Sequence, residues 1–377
     1  LAGSGSIDLG SYTLTAGGTN ASTAFSGVIN GSGGLTKTGL GTLNINAVAQ
    51  TYTGATTIIA GTPGVTSGAP SKVSTLQLTF STSAATNLIS ASSVLILGGA
   101  SAPQIGTQLS NVQLANVGNG SGRLLLSGAA AATSQVFAST TVGTGASDIV
   151  LTSSTTNALL LNLGAITRSA GGTLFVANPG NTLSATNGVL TSSGAIGALL
   201  TDANGTVYSV LGTAGNNVTD FAAKNAGGWL MAPAYTASVA ATANYTQTLT
   251  AGATTLGSAT VTVASTTGLV VGSAISGPGI PVGATIVTIG TGTMTISAPA
   301  TAPGTAQTFT VARNINLGET NTGTGWTTQT INSLRNVATT TSGTTLTIAA
   351  GNTITIATGG ILYGSAVGGN STITGGT

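Results

Sequence analysis

Short runs in which every second residue is aliphatic recur along the chain, punctuated by glycine. "GTLNINA" places Leu43 and Ile45 on one side, "STLQLTF" places Leu76, Leu78 and Phe80, and "GTTLTIAAGNTITIATGG" places Leu346, Ile348, Ile354 and Ile356. The residues between them are Thr, Asn, Gln or Ser. A period of two with one apolar and one polar side is the signature of a strand with one buried face. Asn-Gly pairs at Asn30-Gly31, Asn119-Gly120, Asn187-Gly188 and Asn204-Gly205 supply tight turns. Thr, Val and Ile favour strands, and the strong helix formers Glu, Lys, Arg, Gln and Met are scarce. The expectation is an all-β protein.

Only 3% of the 377 residues are charged, with seven Lys and Arg, five Asp and Glu, and no Cys or His. The formal charge of +2 is therefore spread too thinly for the basic stripe that nucleic acid requires. Disorder is disfavoured because 41% of the residues are hydrophobic and they are patterned. No apolar run is long enough for a membrane helix, and an aromatic content of 4% does not suit the girdles of an outer-membrane barrel. Opening on "LAGSGSIDLG" and closing on "STITGGT", the chain reads as a processed product or part of a longer secreted polypeptide.

Like strand–turn units along a chain favour a solenoid, in which polar side chains stack from rung to rung, over a sandwich. The stretch Gly27 to Thr62 carries Gly33-Gly34-Leu35-Thr36-Lys37, Gly41-Thr42-Leu43, Thr51-Tyr52-Thr53-Gly54 and Ala60-Gly61-Thr62. These features resemble the autotransporter-associated β-strand repeat of large secreted bacterial proteins. Leu346 to Thr377 shares the likeness, and Pro63 to Val73 departs from it. The resemblance implies a right-handed parallel β-helix on the cell exterior and no catalytic residue. Residues 1–250 are assigned to the coil, 251–312 to a small inserted β-barrel or sandwich, and 313–377 to the coil resumed. The insertion is marked by its turn cluster "SGPGIPVG", with strands expected at Thr260–Ala264, Thr285–Ile289, Met294–Ile296 and Thr308–Val311.

Candidate chemistry is thin. "GSGGLTKTG" approaches a phosphate loop, but Thr36 stands where glycine should precede the lysine, and a strand rather than a helix follows. Lys37 is expected to be a solvated turn residue that discourages sideways aggregation. Without His or Cys there is no Ser-His-Asp triad and no thiolate or imidazole metal site. Asp202 and Asp220, with Lys224 and Trp229 nearby, are the one pair of acids that could serve a glycosidase, against a plain reading as a polar loop. Trp229, Tyr235, Tyr245 and Trp326 either stack on sugars or fill corners of the core.

The expectation is thus a non-enzymatic extracellular structural protein of a bacterial surface, with no catalytic, cofactor or metal residues. Its partners are copies of itself, because low charge and missing caps favour end-to-end assembly. An adhesin displaying 251–312 to a glycan or cell surface is the alternative, and a polysaccharide-degrading enzyme a distant third.

Overall fold

The computed structural model describes residues 1–46, 48–59, 74–81, 86–98, 122–128, 132–152, 158–178, 188–194, 196, 198–202, 206–213, 217–225, 227–233, 235–237, 245–317, 323–336, 345–363 and 372–376. Its regular elements are all strands. They fall in two compact units, residues 1–193 with 212–216, and residues 194–211 with 217–377.

The first unit is built on parallel sheets. One contains Leu14–Ala16, Leu35–Lys37, Thr56–Ile58, Val94–Leu97, Ser139–Val142 and Ala165–Arg168, side by side in chain order. A second contains Thr23–Phe25, Thr42–Asn46, Ser74–Thr79, Gly122–Ser127, Gly145–Thr152 and Gly172–Asn178, again in chain order. A third contains Thr133–Val136, Leu159–Asn162 and Gly188–Leu190. From Thr133 onward the chain visits the third, first and second sheets in turn and then repeats the cycle.

Pairing stacks like on like. In the second sheet Leu43 lies opposite Leu76, Leu76 opposite Leu124, Leu124 opposite Ile149, and Ile149 opposite Val176. Ile45, Leu78, Leu126 and Leu151 form the neighbouring file. All are buried. Each such aliphatic contributes roughly 1.5–3 kcal/mol on leaving water, and a one-residue slip would turn a whole strand's set outward. On the other side of the first sheet, Thr15, Thr36 and Thr57 align, and Thr141 Oγ1 and Thr167 Oγ1 are 3.1 Å apart.

The second unit combines two kinds of sheet. Thr236–Ala237, Asn314–Leu317, Gln329–Asn336 and Ile354–Tyr363 are parallel, as are Gly323–Trp326, Thr345–Ile348 and Thr372–Gly375. Their shared core holds Tyr245, Ile315, Leu317, Trp326, Ile331, Leu334 and Leu346. Between Ala237 and Asn314 the chain makes an antiparallel sheet instead. Its order is Ala274–Ser276, Gly304–Ala312, Thr246–Thr254, Thr260–Thr262, Thr293–Ile296, Ile286–Ile289.

That antiparallel sheet closes on itself. Ala274 bridges Thr285, Ile275 N donates to Ala284 O at 3.0 Å, and Ile286 N donates to Ser273 O at 3.0 Å. Closure removes the unpaired edges that an open sheet exposes. The interior is filled by residues including Leu249, Val261, Ile275, Ile286, Met294, Phe309 and Val311. Two of its strands lay outside the sequence expectation. Ala274–Ser276 is only three residues long, and Thr246–Thr254 is broken by a register shift between Leu249 and Gly252. Gly252 sits against the Phe309 ring, where any side chain would collide.

Candidate functional site

Lys37 is the clearest departure from the sequence expectation. It ends the strand Leu35–Lys37 and is only 1% exposed. Its Nζ donates to Thr38 O at 2.7 Å, Gly39 O at 3.1 Å and Ser74 Oγ at 3.4 Å. Three N–H groups thus meet three oxygens, which is how a buried ammonium is tolerated. Burial still lowers its pKa, to about 8. The alternation that buries Leu35 also buries Lys37, so strand parity overrides the usual preference of lysine for water. The glycine-rich stretch is a parallel-paired strand, not an anion loop.

Three carboxylates are each held through one oxygen. Arg123 and Asp148 face each other across neighbouring parallel strands, with Nε and Nη2 of the arginine 3.0 and 2.6 Å from Asp148 Oδ2. Asp148 is buried, and desolvation raises its pKa while the hydrogen bond and charge of Arg123 oppose the rise. In the second unit Asp220 Oδ1 accepts from Arg335 Nη1, and Arg335 Nε donates to Asn316 Oδ1 at 3.2 Å. The Arg335 guanidinium lies 3.7 Å above the Tyr235 ring, a cation–π contact. Asp202 Oδ1 accepts from the backbone N–H of Thr206 at 3.0 Å. Asp220 stands on the strand Asn217–Phe221 and is held in an ion pair, rather than in the polar loop of the plain reading. Among the described residues no group of three or more Asp, Glu, His or Cys stands together.

The aromatic candidates divide. Tyr245 and Trp326 are buried core residues, their rings 5.2 Å apart. Trp229 is half-buried beside a turn in which Asn225 Oδ1 accepts from Gly227 N and Trp229 N. A cleft of about 370 Å³ in the second unit is lined by Leu199, Ile275, Val282, Thr310, Asn332 and Thr358 among others, and no charged residue lines it. Several of its polar groups are already used: Asn332 Nδ2 donates to Asn314 Oδ1, Thr358 Oγ1 to Asn332 O, and Thr285 Oγ1 to Ile196 O.

A repeated arrangement of buried glutamines was not anticipated from the sequence. Gln50 Oε1 accepts from Ile29 N at 2.8 Å, and its Nε2 donates to Gly27 O and Val48 O. Gln135 does the same to Ile89, accepting from its N–H at 3.1 Å and donating to its carbonyl at 2.9 Å. Gln329 Oε1 accepts from Tyr245 N at 2.7 Å. Each carboxamide satisfies main chain on a distant segment, where a buried N–H would otherwise be orphaned. The signal in the sequence is parity: Gln50, Gln135 and Gln329 each stand two residues before a buried Tyr52, Phe137 or Ile331. A buried hydroxyl chain does similar work, with Tyr52 OH, Thr56 Oγ1 and Ser93 Oγ linked at 2.7 and 2.9 Å and Ser93 Oγ donating to Gly54 O.

No helix among the described residues is long and apolar enough to cross a membrane. No family model matches the chain, and no curated protein or solved structure is significantly similar to it.

Proposed function

We propose that this chain is a non-enzymatic structural protein of a bacterial exterior, a right-handed parallel β-helix that assembles end to end. The observation carrying the reading is the use made of its buried polar groups. Lys37, Gln50, Gln135, Tyr52, Thr56 and Ser93 are spent on main chain and on one another between stacked strands. Such investment stabilises a scaffold. The cyclic return to three parallel sheets, about 20–28 residues on at most of its closely spaced steps, supports a coiled repeat. The likeness of Gly27–Thr62 to the autotransporter-associated repeat points the same way.

Assembly of copies is supported by the low charge: only 3% of the residues are charged, which leaves little repulsion to hold copies apart. Electron microscopy of the native material, with mass determination on the same sample, tests the reading. Regular fibres support it, and isolated particles of single-chain mass would remove assembly from it.

A second reading, an adhesin, is favoured by the closed antiparallel sheet, whose first and last strands pair at Thr246 and Ala312. A deletion of 246–312 that spares assembly and abolishes surface or glycan binding would favour it.

A further inference from the structure

Of the four Asn-Gly pairs in the sequence, Asn30-Gly31 has both residues among those described. Asn30 closes the strand Val28–Asn30 and is half-buried. Its backbone is firmly held, since Leu9 N donates to Asn30 O at 2.9 Å and Thr53 N donates to Gly31 O at 3.1 Å. The reactive groups are not held. Neither the Asn30 carboxamide nor the Gly31 N–H has a hydrogen-bond partner among the described residues. Other asparagines differ: Asn20, Asn87, Asn162, Asn225 and Asn352 each accept a backbone N–H through Oδ1. Those five are also followed by residues with side chains, whereas Gly31 adopts a φ of 108° and presents no Cβ.

We propose that Asn30-Gly31 is a built-in site of spontaneous deamidation. The Gly31 amide nitrogen attacks Cγ of Asn30, the bond from Cγ to the side-chain nitrogen breaks, and that nitrogen leaves as ammonia with the proton Gly31 gives up. The five-membered succinimide that remains is opened by solvent water at either carbonyl, yielding aspartate or isoaspartate. Either product places a new carboxylate beside Asp8, the register partner of Asn30 on the adjacent parallel strand. Asp8 Oδ1 already accepts from Gly10 N at 2.9 Å, so it stays fixed at that place. Like charges on directly opposed residues are destabilising, and isoaspartate also lengthens the main chain. Ageing therefore loosens the pairing of Ser6–Asp8 with Val28–Asn30, at the start of the first unit.

The test is to age the folded full chain in mildly alkaline buffer and map its peptides by mass spectrometry, with enzymatic methylation of isoaspartate as a second readout. Conversion at Asn30 in the folded chain, removed at that peptide by Asn30→Gln, is expected. Asn30→Asp, the direct product, should melt earlier than the parent chain at low ionic strength, with the gap narrowing in salt. A peptide that stays intact in the folded chain while converting in urea would overturn the proposal, because the fold would then be protecting the site.

Discussion

The parallel sheets of the first unit and the closed antiparallel sheet of the second solve the same problem with opposite means. In the parallel sheets, aliphatic residues meet their equivalents in files such as Leu43, Leu76, Leu124 and Ile149. Main-chain groups beside the strands are satisfied by buried side chains, among them Gln50 and Lys37. The antiparallel sheet satisfies its edges by joining them, Ala274 to Thr285, around an apolar cluster that includes Leu249, Val261 and Phe309, with Thr254, Ser273 and Thr285 also buried. The parallel sheets bury several polar side chains that bond main chain on distant segments, whereas the closed sheet meets most of its edge groups through its own strand pairing.

The comparison is broken most severely through the closed sheet's core. Phe309 is fully buried and packs directly against Gly252 and Gly277. Phe309→Ala should cost about 3–5 kcal/mol. Calorimetry should show the transition of the closed sheet moving down while that of the first unit stays in place. A single shared transition that moves as a whole would show that the two regions do not unfold separately.

Removing one of these buried carboxamides is the next largest test. Gln50→Leu leaves Ile29 N without its acceptor and should cost about 1–3 kcal/mol. Denaturant unfolding should register the loss in the first unit alone. An unchanged midpoint would mean that the carboxamide is incidental.

Lys37 sharpens the comparison through pH. Its folded pKa of about 8 lies below the ordinary 10.5, so between those values the unfolded chain binds the extra proton. This contribution therefore makes stability rise with pH across that window and level off above it. Lys37→Met should flatten that part of the profile in melting experiments from neutral to alkaline pH. A wild-type profile that falls through the window, with Lys37→Met unchanged, would contradict the burial cost assigned to the ammonium.

The smallest effect is expected at Val282, 93% exposed on the Pro-Gly turn of the closed sheet. Val282→Ser should change stability by no more than about 0.5 kcal/mol. A larger loss in thermal melts would reveal packing on that turn.

Much of the fold was legible in the sequence because alternation survives in short windows. Strands over Thr42–Asn46, Ser74–Thr79 and Thr345–Ile348 follow directly from it, as do Thr260–Thr262 and Ile286–Ile289. Lys37 follows parity rather than residue type: its position two residues from Leu35 places it inside. For Tyr245 and Trp326 the choice between sugar stacking and core filling depends on their packing against each other, which no local pattern encodes. The ion pair of Asp220 with Arg335 joins residues 115 positions apart. Local pattern carries no information on such a contact, since register across an insertion is set by tertiary packing. The expected turns at Asn119-Gly120 and Asn204-Gly205, Asn187 of a third, the Ala60-Gly61-Thr62 close of the repeat and the Pro63 to Val73 detour lie outside the described residues.

The central claim is that neighbouring strands run parallel in fixed register, and the absence of cysteine from the sequence makes a direct test clean. Thr36 and Thr57 are paired on adjacent parallel strands and are both half-buried. Cysteines introduced at both positions should oxidise to an intrachain disulfide, because paired residues of adjacent strands lie within bridging distance. The account predicts near-complete cross-linking of Thr36→Cys with Thr57→Cys and little for Thr36→Cys with Ile59→Cys. Failure of the first pair, or preference for the second, would contradict the register and with it the stacked scaffold.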